Sequence, residues 1–288
     1  MEYFVHILII SGIYIILTLS LNLIVGFTGI PSLGHVAFAC VGAYTSSLLA
    51  LNCGMSPWIG IIAGACLASL FGLIVGFASL RLKGDYLALV TFGLGIIVYS
   101  VSKNWVALTR GPMGLPGIPG FTVFGWEVQS VWAYLLVVAV FAFITLFVIN
   151  RIVNSPFGRI LKSIREDELA SLSIGKNVTE YKLIVFIVGA FFAGVAGSLY
   201  AHYITFIDPT SFTPTESIMI LLMVVFGGMG SIRGSLIGAF ALIAFPEMLR
   251  FLGLPSSYAA PLRQMIYGLL LIILMVKRTQ GIIGKYTF

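Results

Sequence analysis

Apolar residues occur along this chain in long uninterrupted runs rather than in alternation with polar residues. The run LLVVAVFAFITLFVI at 135–149 has no period of two, whereas a membrane-spanning strand alternates. Since about 20 apolar residues cross a bilayer as a helix, the pattern predicts an all-α transmembrane bundle of eight to nine spans in one domain, 1–288. The predicted spans are 4–25, 34–51, 58–80, 86–102, 131–150, 183–205, 216–232, 234–250 and 262–276.

Composition supports an integral membrane protein. The chain is 59% hydrophobic and 9% charged, with a mean hydropathy of +1.09, whereas a soluble domain carries about 25% charged residues. The net charge of +6 is explained by basic loops beside membrane spans, so we expect a lipid bilayer rather than nucleic acid as the surrounding partner. The residues suggest no metal cluster, catalytic group or cofactor site in this chain.

Basic residues predict the orientation. With 151–182 in the cytoplasm and the spans alternating from there, 12 Lys and Arg lie inside and 4 outside, as the positive-inside rule requires. No Lys or Arg precedes Arg81, so we expect the first apolar run to remain as a span rather than to act as a signal peptide. The N-terminus is then outside and the C-terminus cytoplasmic. The four outside residues are Lys103, Arg110, Arg250 and Arg263.

One segment, 157–182, is strongly charged and holds nine of the 26 charged residues. Pro156 is placed to open a helix, and Gly175 is a stop of the C-terminal glycine type. Between them, Phe157, Ile160, Leu161 and Ile164 form one apolar face at helical spacing. An anionic lipid surface is one possible partner for this helix. Acidic residues at 166–168 disfavour it, so the pattern favours a cytoplasmic protein groove.

Glycine and proline mark the irregular segments. The predicted external loop 103–130 contains GPMGLPGIPG, which is typical of a stiff turn; it either docks an external partner or only connects two spans. The glycine-rich segments 26–44 and 227–240 are similar enough to suggest an internal repeat around broken helices, although chance similarity is an alternative. The pattern leaves open whether 206–233 spans the membrane or re-enters it.

Several blocks in the right order resemble one transporter family. They are LNLIVGFTGIPSLGHVAFACVGAY, RLKGDYLALVTFG, SPFGRILKSIREDELASLSIG, AGVAGSLYAHY with FIDPTSF, and VFGGMGSIRGSLIGA with FPEMLR. Together they run from about residue 20 to residue 250. They are similar to branched-chain amino-acid ABC-importer permeases, in the second of the two permease types.

The resemblance implies a role for the charged helix. It resembles the cytoplasmic coupling helix of such permeases, here at about 157–175, with Ala170 and Ser171 as the small pair and Gly175 following. Leu169 occupies the place of the family's acidic residue, and Glu168 lies one earlier. The residues expected to contact an ATPase are Arg159, Arg165, Glu168, Ala170, Ser171 and Gly175.

The resemblance also implies partners and a compartment. It implies a second permease subunit in a heterodimer, two cytoplasmic ATPase subunits and an external substrate-binding protein. The sequence has no G-x-x-x-x-G-K-S/T motif, so ATP and Mg are expected on the partner subunits, and the chain itself is expected not to be an enzyme. The expected location is a bacterial or archaeal plasma membrane.

Polar residues within spans are candidates for the translocation path. They are Asn22, His35, Thr91 and Glu247, with structural hydrogen bonding as the alternative for His35 and an ion pair with Arg250 as the alternative for Glu247. Import of urea or short amides fits the same sequence. A stand-alone ion-coupled transporter is a further alternative, which would need buried acidic residues.

Overall fold

The computed structural model describes residues 2–79, 82, 84–123, 126–127, 130–250, 265, 268–269, 272 and 281–284, with no side-chain description for 122–123, 126–127 and 246–250. The predicted last span, 262–276, falls largely outside these residues. So do basic residues that the orientation argument uses: Arg81, Lys83, Arg263, Lys277, Arg278 and Lys285.

The described chain is a helical bundle, as predicted. Seven of its helical segments are long and apolar enough to cross a membrane. The first six of these segments confirm the first six predicted spans to within five residues at each end. The helices are α1 (Glu2–Leu21), α2 (His35–Cys53), α3 (Pro57–Ser79), α4 (Asp85–Asn104), α5 (Val106–Thr109), α6 (Val131–Asn154), α7 (Pro156–Glu166), α8 (Glu168–Ser173), α9 (Val178–Ile204), α10 (Pro214–Gly227) and α11 (Ile232–Arg250).

Three helices, α2, α3 and α9, form the tightest part of the core. A Cβ built on Gly197 would lie 1.9 Å from the Ala39 carbonyl oxygen, and one built on Gly42 would lie 2.3 Å from that of Gly194. Small residues let helix backbones approach this closely. The Ser198 hydroxyl also donates to the Gly42 carbonyl at 3.0 Å. Glycines on these helices therefore set the helix spacing rather than the local conformation.

Two long apolar helices are left mostly uncovered. Only 17% of the apolar window of α4 and 22% of that of α6 are buried, against 67% for α9. Large exposed side chains on these two helices are apolar, for example Leu89, Ile97, Phe143 and Phe147. A helix that is apolar all round and yet exposed is suited to a lipid environment.

The Pro/Gly loop 103–130 is fixed to the bundle by a buried aromatic residue, side-chain hydrogen bonds and a short strand pair. Phe121 is fully buried and contacts the ring of Trp58 at a centroid distance of 5.0 Å. His202 Nδ1 donates to the Pro119 carbonyl at 2.7 Å, so its Nε2 accepts from the Ser46 hydroxyl at 2.7 Å. Short strands add to this: β1 (Leu115–Pro116) pairs with β4 (Phe206–Ile207), and β2 (Thr122–Val123) with β3 (Trp126–Glu127).

Helices α10 and α11 form an antiparallel hairpin. Gly227 faces Gly234, and Gly238 faces Met223, so positions rising along one helix meet positions falling along the other. At 1.5 Å per residue, the 14 residues of α10 cover about 21 Å, which is less than a hydrocarbon core of about 30 Å. Only with the 3₁₀ turn Pro209–Phe212 before it does this segment reach the length of a candidate span.

Candidate functional site at the charged end of the bundle

The charged segment begins where the sequence predicts. Pro156 is the first residue of α7, and the Ser155 hydroxyl caps it by accepting from the Gly158 amide at 3.3 Å. A Cβ on Gly158 would lie 2.3 Å from the Val153 carbonyl oxygen. The chain can therefore turn directly from α6 into α7, which places the charged segment against the end of the bundle.

The apolar face of α7 is directed into the bundle. Leu161 and Ile164 are 0% and 3% exposed, and the Phe157 ring lies 5.1 Å from that of Tyr181 on α9. Arg159 is exposed on the other side. The amphipathic pattern is confirmed, but the prediction that its apolar face enters a partner's groove is wrong, because that face packs on the protein itself.

The predicted single helix at 157–175 is wrong in one respect, because it is broken at Asp167. Asp167 is extended (φ −153°, ψ 108°) and caps α8, with its Oδ1 accepting from the Ala170 amide at 2.9 Å. An aspartate that can bond nearby amides competes with helix continuation. The segment is therefore two short helices, α7 and α8, and we call 156–175 the coupling segment.

Removing this cap gives a local prediction. Asp167→Ala should destabilise α8 by about 1 kcal/mol, the usual cost of losing an N-cap side chain, while α7 and the bundle keep their stability. Hydrogen exchange of the amides at 168–174 measures this, and we expect faster exchange there only. Asn177→Ala is the matched control, since Asn177 caps α9 and should affect 178–181 instead. Unchanged protection at 168–174 would show that the cap does not hold α8.

The small residue Ser171 lies inside the coupling segment. It is 1% exposed, and its hydroxyl donates to the Asp167 carbonyl at 3.0 Å and lies 2.9 Å from Ser163 Oγ. Its one proton is used on Asp167, so Ser163 donates to it. A larger side chain would force α8 away from α7. Ala170, the other small residue, is exposed.

Gly175 ends α8, as predicted. Its φ is +78°, a conformation that glycine adopts without strain. Its amide donates to Leu172 at 2.9 Å, and the Lys176 amide donates to Ser171 at 3.2 Å. A Cβ here would meet nothing within 4 Å, so the position favours glycine because of its backbone and not because of space.

Three large apolar side chains on α8 and its C-terminal cap are exposed. Leu169, Leu172 and Ile174 are 66%, 47% and 68% exposed, and we call these three residues the α8 patch. Beside it runs an open groove between α7 and the end of α8, lined by Pro156, Arg159, Ile160, Ser163, Ile174 and Lys176. Glu168 does not face the patch, because it forms a salt bridge with Lys182 of α9 at 2.8 Å.

Arg165 lies apart from the other predicted contact residues. It is half-buried, and its Cγ would lie 3.0 Å from a Cβ on Gly29. Gly29 follows the π-helical segment Asn22–Phe27 that continues α1, and its φ is +73°. Arg165 therefore contacts the end of the first span.

Two of the predicted path residues, His35 and Thr91, lie beside the break at 28–34, and Asn22 lies in the π-helical segment before it. Asn22 is fully buried and bonds to the turn between α10 and α11. His35 is also fully buried, with Nε2 2.8 Å from Ser20 Oγ and no partner for Nδ1 among the described residues. Thr91 is 2% exposed and accepts from the Leu33 amide at 3.1 Å. Their role in the path stays a prediction. The side chain of Glu247 on α11 lies outside the described ones.

Sequence reasoning missed a further acidic residue, Glu216. It is half-buried in the first turn of α10, where the Tyr14 hydroxyl of α1 donates to its Oε2 at 2.9 Å. It lines a mainly apolar cleft between α1, α2, α9 and α10. The sequence contained a signal, an acidic residue just after Pro214, but it was interpreted only as the start of a span. A carboxylate in the first turn also stabilises the helix dipole.

Residues 3–275 match the family described as branched-chain amino acid transport system / permease component. That match covers nearly the whole bundle, including the coupling segment and both glycine-rich breaks. The chain belongs to this family. It is a multi-pass membrane permease, as its apolar helices indicate.

Curated relatives support the same family assignment. The branched-chain amino acid permease LivM of Escherichia coli is 36% identical over 97% of this chain and 69% of its own length. LivH of the same organism is 26% identical over 94% and 91%. A guanosine ABC transporter permease, NupQ of Bacillus subtilis, is 25% identical over 78% and 75%. This permease is therefore similar to proteins named for more than one substrate.

Proposed function

We propose that this permease forms, with a second permease subunit, the membrane path of an ATP-driven importer for branched-chain amino acids. The observation that carries the proposal is the α8 patch with its groove, on a segment otherwise anchored to the bundle, in a chain that belongs to this permease family. The more similar relative, at 36% identity, is named for branched-chain amino acids. The LivH relatives support a second, related permease as the partner.

The arrangement suits a subunit that receives motion instead of generating it. The coupling segment lies on the cytoplasmic side in this proposal, where Leu169, Leu172 and Ile174 dock on an ATPase subunit. ATP and Mg are bound and used on the two ATPases. An external binding protein delivers the amino acid to the opposite side, near the loop 103–130. Closure of the ATPases moves the coupling segment, and the membrane path changes its access.

The test is the ATPase activity of the complex purified through this chain and placed in lipid nanodiscs. We expect leucine-loaded binding protein to stimulate ATP hydrolysis by about tenfold, because a loaded partner stabilises one state of a coupled equilibrium. Unloaded, urea-loaded and guanosine-loaded binding proteins are the matched controls. Stimulation by urea or guanosine instead of leucine would contradict the substrate, and absence of any co-purifying ATPase would contradict the proposed mechanism.

A stand-alone ion-coupled transporter is the second candidate, and the half-buried, hydrogen-bonded pair of Glu216 and Tyr14 favours it. Buried acidic side chains inside membranes commonly belong to proton relays. The chain reconstituted alone in proteoliposomes distinguishes the two candidates. Uptake of leucine driven by a proton gradient, with no ATP, would replace the importer by this second candidate.

A further inference from the structure

The side chain of Asn22 joins two chain breaks that are more than 200 residues apart in sequence. Its Oδ1 accepts from the Gly230 amide at 3.0 Å, and its Nδ2 donates to the Ser231 carbonyl at 3.1 Å and to Ser235 Oγ at 2.7 Å. An asparagine amide can make about four hydrogen bonds. Asn22 uses three of them, two on the turn between α10 and α11 and one on Ser235 in the first turn of α11.

The two backbones also touch at this point. A Cβ built on Gly26 would lie 2.7 Å from the Gly230 nitrogen. Asn22 and Gly26 both belong to the π-helical segment Asn22–Phe27, and π-helical turns occur frequently at functional sites. Asn22 and Ser235 are fully buried and Ser231 is partly buried, so water has little access to replace the bonds to Gly230 and Ser235 when they break.

The turn is held from its other side as well. The amides of Ile282 and Ile283 donate to the Phe226 and Gly227 carbonyls, both at 3.0 Å. A Cβ on Gly228 would lie 2.2 Å from the Gly284 nitrogen. The 228–231 turn therefore lies between the π-helical segment and residues 281–284, with no room to slide past either.

The coupling segment reaches the same π-helical segment. Arg165 lies against Gly29, two residues beyond Phe27, and the Gly29 amide donates back to the Val25 carbonyl at 3.2 Å. A displacement of α7 toward the bundle therefore presses on the end of the first span at Gly29. From there, Asn22 is the side-chain link to the hairpin of α10 and α11.

We propose that Asn22 is a positioning residue that makes the π-helical end of the first span and the α10–α11 hairpin move as one body. Arg165 contacts Gly29, so it displaces the π-helical segment together with the hairpin when the coupling segment moves. This inference rests on the proposed function, since it assigns the route by which ATPase closure reaches the hairpin. The hairpin, whose first helix is too short to span alone, is the element displaced.

The test is the ratio of leucine uptake to ATP hydrolysis in proteoliposomes containing the complete complex. Asn22→Asp keeps the size of the side chain but puts one carboxylate oxygen in place of Nδ2, so that both donated hydrogen bonds are lost and this oxygen faces the Ser231 carbonyl. We expect the ratio to fall about tenfold or more, while loaded binding protein still stimulates ATP hydrolysis. Asn150→Asp is the matched control, because Asn150 is exposed and its side chain accepts from Asn154 within the same helix, α6, and its ratio should equal that of wild type. An unchanged ratio in Asn22→Asp would overturn the proposal.

A second pair of variants tests the proposal if the complex containing Asn22→Asp does not assemble. Gly29→Ala places a methyl group against Arg165 at a left-handed residue. Gly54→Ala introduces the same backbone strain at φ +61° with nothing within 4 Å. We expect the uptake ratio to fall in Gly29→Ala alone, and equal ratios would overturn the proposal. Failure of the wild-type complex to respond to leucine would instead contradict the proposed function itself.

Discussion

A Gly197→Val variant should fail to accumulate as folded protein. The Cβ position of Gly197 lies 1.9 Å from the Ala39 carbonyl oxygen and 2.9 Å from its Cα, so the obstacle is backbone and cannot be relieved by a rotamer change. Overpacking costs about 1–3 kcal/mol even where side chains can shift. Here α2 and α9 must separate, which also breaks the bond from Ser198 to Gly42.

Fluorescence-detected size-exclusion chromatography of a tagged chain in mild detergent measures this effect. We expect the monodisperse peak to fall by about tenfold or more, because the separation of α2 and α9 disrupts many packed contacts at once and each loss of about 1.4 kcal/mol lowers the folding equilibrium constant tenfold. Gly93→Val is the matched control. Gly93 lies within α4, and a Cβ there meets nothing within 4 Å, so its peak should persist. Equal peaks for both variants would show that the close approach of α2 and α9 does not limit folding.

The second large effect is expected at the α8 patch. Leu169→Asp combined with Ile174→Asp should abolish transport while the bundle stays folded. Both side chains are more than 60% exposed, so neither contributes much to the stability of the free subunit. Burying one leucine or isoleucine in a partner contributes about 1.5–3 kcal/mol, and an unpaired carboxylate in its place adds a desolvation cost.

Co-purification of the ATPase subunits and leucine uptake are the two measurements. We expect both to fall by about a hundredfold or more, in proportion to the lost docking energy. Thr179→Asp is the matched control: it is exposed near the start of α9 and adds one negative charge outside the patch, where a helix N-terminus tolerates it. Normal docking of the double variant would mean that the ATPase binds another surface.

The local sequence pattern was enough to predict the ends and the buried face of the coupling segment. Pro156 and Gly175 mark its ends because proline fixes φ at a helix start and glycine adopts the left-handed conformation at its end. The apolar spacing correctly predicted burial of Leu161 and Ile164. The break at Asp167 was missed, because whether an aspartate caps a new helix or continues the old one depends on the balance of small local terms.

The candidate site residues show the limit more clearly. Asn22, His35 and Thr91 were selected as polar residues in apolar runs, but nothing in their neighbourhoods identified Gly230, Ser20 or Leu33 as their partners. Glu216 was not predicted as a site residue, because its hydrogen-bond partner, Tyr14, is 202 positions away in the sequence. The similarity of the two glycine-rich breaks gave a hint, and the structure shows that both are broken helices that meet in space; an internal repeat stays a prediction.

The sequence by itself determined that this protein is a helical membrane bundle with one amphipathic charged segment, because hydropathy and helical period are sums over neighbouring residues. Only the tertiary structure decided which helices touch, which residues Asn22 and Arg165 contact, and which apolar side chains of the α8 patch stay exposed. Those outcomes depend on helix approach distances set by glycines on different spans, and a distance between two spans is not written in either of them alone.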